Sequence, residues 1–328
     1  MDIVDILIGA ARASVGVQAA AFALAAIGLN VHYGYTGLLN FGHVGFMLLG
    51  AYGTAVTVHH GGSLWLGILV GILAAVAFGI ILGLPTLRLR YDYLAIVTIA
   101  AAEILRLGAR SPSAEPLTRG VFGIQQFADS FYDLNPLARG RYGWGDFAFS
   151  HRVLWVMLVG WGLVALATAL VWLLTRSPWG RVLRAVREDE DAARSLGKNA
   201  FWFKLQSLVV GGVIGSLAGT LLAVDTQSVN PDTYQAVITF FAYTVLILGG
   251  PATRLGPVAG AIVFWFLLQF TALFLTEAIA VGWISESLLS RQEVSAVRFA
   301  LVGLGLMLLV IFRPQGIFGR RQEMLVDA

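Results

Sequence analysis

The fold class this sequence predicts is an all-α, polytopic transmembrane helical bundle. Three observations carry that expectation. Of 328 residues, 58% are hydrophobic and only 12% charged, about half the roughly 25% charged fraction of a soluble domain. Several apolar runs reach the roughly 20 residues that cross a bilayer core. The runs are continuous rather than alternating, which selects helices over a closed barrel, the only two architectures that satisfy every backbone group inside hydrocarbon.

In chain order, spans are expected at 14–31, 37–59, 64–84, 93–108, 153–175, 205–224, 236–250, 257–276 and 297–312. That makes nine, or ten if the 37–59 region holds two short helices. Two spans are irregular. Gly34-Tyr35-Thr36-Gly37-Leu38-Leu39-Asn40-Phe41-Gly42-His43-Val44-Gly45-Phe46 carries too many glycines and polar residues for a plain lipid-facing helix, and is expected to break or re-enter behind its neighbours. The 236–250 stretch is short and ends in Gly249-Gly250-Pro251. The 38 glycines suit close helix packing, because small residues let backbones approach where lipid supplies no hydrophobic drive between helices. The absence of cysteine excludes disulfides, thiolate metal sites and cysteine nucleophiles. The acidic start, Met1-Asp2-Ile3-Val4-Asp5, lacks the basic region of a cleavable signal peptide. Residues 1–328 read as one transmembrane domain.

Orientation follows from Lys and Arg in the loops. The 176–204 loop carries seven basic residues: Arg176, Arg181, Arg184, Arg187, Arg194, Lys198 and Lys204. Arg88 and Arg90 follow another span, and the tail adds Arg313, Arg320 and Arg321. All three regions are expected on the cytoplasmic side. The 109–152 loop then lies outside, with three prolines (Pro112, Pro116, Pro136) and the aromatics Phe127, Phe131, Tyr132, Tyr142 and Trp144 that would pack it as an interfacial cap. The net charge of +3 and the lack of a basic stripe speak against nucleic acid as a partner.

The most informative segment is the charged one between two apolar runs. Trp179 to Leu196 reads as an amphipathic helix, with Val182, Leu183, Val186, Ala193 and Leu196 as its apolar stripe and Arg181, Arg184 and Arg187 three apart. The acidic run Glu188–Asp191 falls mid-segment, where a second helix would start with carboxylates at its N-terminal dipole, and Gly197 is a natural terminator. A polar helix placed between membrane spans is suited to dock on something soluble; the alternative is a solvated basic loop.

The stretch Gly180–Gly197 resembles the coupling-loop motif of ABC-importer permeases of the branched-chain amino acid (LivM/LivH) family. Three more segments agree in order: Gly34–Gly45 is similar to that family's glycine-phenylalanine signature, Leu87–Leu107 to its LivM-side version, and Asn230-Pro231 through Gly249-Gly250 with Gly256-Pro257 to its later signature. The likeness covers about residues 15–318 and is closer to LivM. Departures are Tyr91 where the family has Gly, Thr118-Arg119-Gly120 for Thr-Gly-Gly, and the 249–257 turn; they bear on which substrate crosses. The resemblance implies the permease subunit of an ATP-driven importer in a prokaryotic cytoplasmic membrane, for branched-chain or other apolar amino acids, with urea or short amides as the alternative cargo. It implies a second homologous permease, two cytoplasmic ATPase subunits, an extracytoplasmic binding protein, and ATP and Mg on the ATPases with no cofactor on this chain. The sequence lacks the Gly-x4-Gly-Lys-Ser/Thr phosphate loop, so the chain is expected to be no enzyme. The motif places the ATPase-coupling role on Arg181, Arg184, Arg187, Glu188, Asp189, Glu190, Ala192, Ala193, Leu196 and Gly197.

Polar groups at membrane depth are costly and mark either function or packing. Asn40, Phe41, Gly42, His43 and Gly45 in the broken segment, and Glu103, are the candidate pathway residues. The competing readings are a satisfied interior hydrogen bond for Asn40 and His43, and a structural ion pair with Arg106 for Glu103. Asp92 reads as structural. Asp225 and Gln227 are either a gate or a helix end. An ion-coupled secondary transporter is the rival from another class; it needs charges clustered near the midplane, in which this chain is poor. No His/Asp/Glu cluster has metal-ligand spacing.

Overall fold

The computed structural model describes residues 3–87, 91–283, 293–313 and 315–319. Arg88, Arg90, Arg320 and Arg321, all counted in the orientation argument, lie outside the described residues, as does the side chain of Asp92.

The chain enters through α1 (Ile3–Val15), breaks at Gly16, and resumes as α2 (Val17–Leu29). The alanines and single large apolar residues of α2 are almost all buried. The helix then widens into a π-helical turn, Asn30–Tyr35, and the backbone leaves helical geometry over residues 37–42. α3 (His43–His59) restarts after Gly42. α4 (Leu64–Thr86) is capped by Ser63, whose hydroxyl accepts from the Leu66 amide, and α5 (Tyr91–Arg110) returns.

Residues 111–150 build a small cap from α6 (Glu115–Thr118), β1 (Ile124–Gln125), α7 (Asp129–Asp133) and a hairpin of β2 (Arg141–Trp144) and β3 (Phe147–Ser150). α8 (His151–Arg176) leads to the other end, where α9 (Pro178–Glu188) and α10 (Glu190–Ser195) sit. α11 (Ala200–Thr226) returns, and β4 (Ser228–Val229) pairs antiparallel with β1, so the cap is stitched to the α11–α12 loop. α12 (Ala236–Gly249), α13 (Gly256–Ala280) and α14 (Val294–Phe312) complete the bundle.

Among the described residues, six segments are long and apolar enough to cross a membrane: Val17–Tyr35, Leu64–Thr86, His151–Arg176, Ala200–Thr226, Pro231–Gly249 and Gly256–Ala280. At 1.5 Å per residue α11 is about 40 Å long, enough for a hydrocarbon core of about 30 Å. The other three expected passes, 37–59, 93–108 and 297–312, are also helical, as α3, α5 and α14. α3 is a 17-residue helix, starting at His43 rather than at 37. The chain is a multi-pass membrane protein. The separate helix α1 and the bend at Gly16 were not legible as such, because Asp5 and Arg12 keep α1 from reading as an apolar run and the expected span opens at 14, across the bend.

The centre is a close-packed set of α2, α3, α4 and α11. α3 and α11 cross backbone to backbone: a β-carbon at Gly50 would overlap the Ser216 carbonyl, and one at Gly219 the Met47 carbonyl. This is the small-residue packing that the glycine content foretold. α1 runs along α13, with Gly9 facing Leu273. Residues beyond α14 turn back on α12, where the Ile317 and Phe318 amides donate to the Leu248 and Gly249 carbonyls at 2.9 and 3.0 Å. In the cap, Phe127 is buried and Tyr132 donates to the Val224 carbonyl at 3.0 Å, but Trp144 is 93% exposed. The expectation that all five aromatics pack the cap is therefore corrected at Trp144, which the hairpin turn projects outward.

Candidate functional site

The helices α9 and α10 form a surface element at the end of the bundle opposite the cap. Pro178 starts α9 at a position where its missing amide costs nothing. Leu183 and Val186 are fully buried, and Val186 packs with Ala193 and Ala200. Asp189 is extended (φ −154°, ψ 106°) and ends α9. Its carboxylate then accepts from the Asp191 and Ala192 amides, both at 2.9 Å, and so starts α10. The acidic run thus marks a second helix, as the sequence indicated. Glu190 bonds Arg194 at 2.6 Å and reaches Lys204 on α11. Gly197 ends the element at φ +76°, a conformation that favours glycine.

Arg181, Arg184, Glu188, Asp189, Asp191, Ala192, Arg194, Leu196 and Gly197 are exposed. Leu196, expected on the apolar stripe, is 79% exposed; it faces out because α10 starts afresh at Asp189, which breaks the single-helix periodicity. Ala193, on the same stripe, is 2% exposed and packs inward, so it is not on the exposed face of the element.

Arg187 points the other way. Its Nη1 donates to the Gly34 carbonyl oxygen at 2.6 Å, and its stem packs on Gly37. Gly34 lies at the end of the π-turn, where the helix no longer supplies donors to its carbonyls. The surface element is thus tied to the broken segment by one charged hydrogen bond.

The broken segment is a buried polar knot. Asn40 Nδ2 donates to His32 Nδ1 at 3.2 Å, which leaves His32 Nε2–H for the Leu208 carbonyl at 3.0 Å. Asn40 Oδ1 accepts from the Gly42 amide at 3.0 Å. The Phe41 amide donates to Thr98 at 3.1 Å and the Val44 amide to Thr239 at 2.9 Å. Thr36 and Ser207 hydroxyls meet at 2.7 Å. These side chains replace the partners that the unwound backbone lost. Asn40, Gly42, His43 and Gly45 are buried, and Phe41 stacks at 4.8 Å on Tyr243. His43 sits edge-on to His32 at 5.4 Å and closes against Gly28 and Gly215. A second tie, Asn30 to the Thr253 carbonyl and from the Ala252 amide, both at 2.8 Å, pins the α12–α13 turn to the same π-turn.

Glu103 is elsewhere. It binds Arg106 at 2.9 Å, and Arg106 and Arg110 both bind Asp232, at 2.7 and 3.1 Å. This network joins α5 to the turn before α12 near the cap, apart from the broken segment, and matches the structural ion-pair reading. Gln227 (φ +49°) is the C-cap of α11, so it is a helix end. Sequence reasoning missed His32, Thr36, Thr98, Ser207 and Thr239; single hydroxyls and one histidine in apolar helices carry no periodic signal. Among the described residues no group of three or more His, Asp or Glu is arranged to hold a metal ion.

The family profile described as "Branched-chain amino acid transport system / permease component" matches residues 12–312. The chain is 35% identical to the high-affinity branched-chain amino acid transport system permease protein LivM of Escherichia coli K12 over 247 residues, which is 72% of this chain and 58% of that protein. It therefore spans less than two thirds of that relative's length. It is 27% identical to the permease protein BraD of Pseudomonas aeruginosa, covering 91% of this chain and 92% of BraD. Among solved structures, PsaBC from Streptococcus pneumoniae in complex with Fab aligns with a TM-score of 0.42 at 13% identity, covering 97% of this chain and 93% of that one. By the extent of the profile match and by these identities, the chain belongs to the family of branched-chain amino acid transport system permease components.

Proposed function

We propose that this chain is the permease subunit of an ATP-driven importer in a prokaryotic cytoplasmic membrane, carrying branched-chain or other apolar amino acids. The observation that carries this reading is the Arg187–Gly34 hydrogen bond, which couples an exposed two-helix element to the break in the first pass. Two cytoplasmic ATPase subunits, holding ATP and Mg, would receive the exposed face of Arg181, Arg184, Glu188, Asp191, Ala192 and Leu196. Their closure would push α9 and α10, and Arg187 would pass that displacement to the π-turn and the knot at Asn40 and His32. The Asn30–Thr253 tie would carry the α12–α13 turn along. Changes at both places alter access between the passes. A second homologous permease would complete the pathway, and an extracytoplasmic binding protein would deliver cargo at the cap.

The test is purification of the tagged full chain, co-expressed with its genomic neighbours, from mild detergent. The reading expects co-purifying ATPase subunits and a second permease, and uptake of an apolar amino acid in vesicles that requires ATP. A homo-oligomer free of ATPase, with uptake driven by an ion gradient, would sink it.

A further inference from the structure

Four arginines line one cleft of about 590 Å³ at the α9 end of the bundle: Arg176, Arg181, Arg184 and Arg254. Among the described residues none of them pairs with a carboxylate. Arg184 reaches only the neutral carbonyls of Gly180 and Thr175, at 3.4 and 3.3 Å. Arg176 and Arg254 both stack on the Trp172 ring, at 4.4 and 5.6 Å from its centroid. Like charges gathered without a counter-charge repel one another, so the cleft favours an anion.

The cleft is continuous with a second cavity of about 480 Å³ between α8 and α13, and the two share Arg254 and Leu255. That groove is apolar, lined by side chains such as Val164, Ala165 and Val258. From the mouth inwards, then, the surface offers guanidinium groups and an apolar slot. Along α8, Arg176 to Trp161 covers about 22 Å at 1.5 Å per residue.

We infer that this composite groove binds one anionic phospholipid, its phosphate against Arg176 and Arg254 where the cleft meets the groove, and its acyl chains along α8 and α13. The charge complementarity selects the headgroup: guanidinium forks match phosphate oxygens in bidentate fashion, and basic pockets between transmembrane helices bind acidic headgroups. The apolar slot distinguishes a lipid from free phosphate.

Native mass spectrometry of the delipidated full chain, incubated in turn with phosphatidylglycerol, phosphatidylcholine and inorganic phosphate, tests this. One phosphatidylglycerol should remain bound under activation that strips phosphatidylcholine. The double variant R176Q/R254Q should lower its retention at least tenfold. Ala165→Trp, which fills the slot and leaves every arginine in place, should do the same, with melting temperatures of both variants near that of the parent. The adduct should persist in the assembled complex. Equal retention of the two lipids would overturn the proposal. So would phosphate binding that A165W leaves unchanged, lipid retention unaffected by the variants, or exclusion of the lipid once other subunits cover the groove.

Discussion

Arg187 on α9 holds the carbonyl of Gly34, 153 residues earlier, with an Nη1–O distance of 2.6 Å. Gly34 ends a π-turn whose last carbonyls have no helical donor, so the guanidinium supplies a bond the backbone cannot make. Removing it leaves a carbonyl unsatisfied and disconnects a surface helix from the interior.

Arg187→Ala should therefore uncouple the element rather than unfold the chain. A hydrogen bond to a charged group contributes about 1.5–3 kcal/mol, so a modest drop in melting temperature is expected. In reconstituted vesicles, uptake should fall about tenfold while ATP hydrolysis by the assembled complex continues. Hydrolysis and uptake falling in equal proportion would contradict the link.

The two adjacent alanines of α10 should behave oppositely. Ala193 is 2% exposed against Val186 and Ala200, and Ala193→Glu should destabilise the fold by several kcal/mol through burial of a charge. Ala192 is exposed, so Ala192→Glu should leave the melting temperature near that of the parent and weaken ATPase co-purification. Equal melting of the two variants would show that α10 does not pack as described.

Two glycines of the α3 region should also separate. A β-carbon at Gly42 would overlap the Thr98 carbonyl, and α3 and α5 would have to part. Gly42→Ala should cost about 2 kcal/mol or more, in the range of overpacked cores, and abolish uptake. At Gly45 the added carbon would meet the Ala102 and Phe78 side chains at 3.2 Å. There the gain of about 1 kcal/mol in helix propensity opposes the crowding, and Gly45→Ala should melt within a few degrees of the parent. Thermal unfolding in detergent separates the two.

His32→Ala would leave Asn40 without an acceptor for Nδ2 and the Leu208 carbonyl without its donor. With the cavity added, a loss of about 3 kcal/mol is expected. His32→Gln should recover part of it, because an amide can donate and accept. Identical melting of the alanine and glutamine variants would show that the knot acts only by volume.

At the cap end, Arg106→Asp should release the α5 tie to Asp232 and lower stability. The double variant R106D/D232R should restore part of the loss, with a coupling of about 1 kcal/mol, since Asp232 is 38% exposed and solvent screens the pair. Absence of any coupling in the double-mutant cycle would leave the pair without an energetic role.

The positions of the passes were legible because burying some 20 apolar residues in succession is a local property that needs no partner. The break over residues 37–42 was legible too, because clustered glycines, Asn40 and His43 contradict a lipid-facing helix. Asp189 could be read as a helix start from the acidic run around it, and Gly197 as a stop. The partners that make these features work could not be read. Asn40 meets His32 because the chain turns back between them, Gly34 meets Arg187 only because α9 folds back under the first pass, and Thr98, Ser207 and Thr239 come from three other helices. Leu196 was misplaced because one residue, Asp189, resets the helical phase, and a change of phase is invisible to a periodicity drawn through it. Glu103 was left open between pathway and ion pair until Asp232, 129 residues on, was placed beside Arg106. The order of the passes and the break before α3 were written in the chain itself, since those depend on neighbours in the sequence, whereas the break at Gly16 was not. Only the tertiary structure decided which buried polar group meets which, because hydrogen bonds across a bundle join residues whose separation in sequence carries no record of their contact.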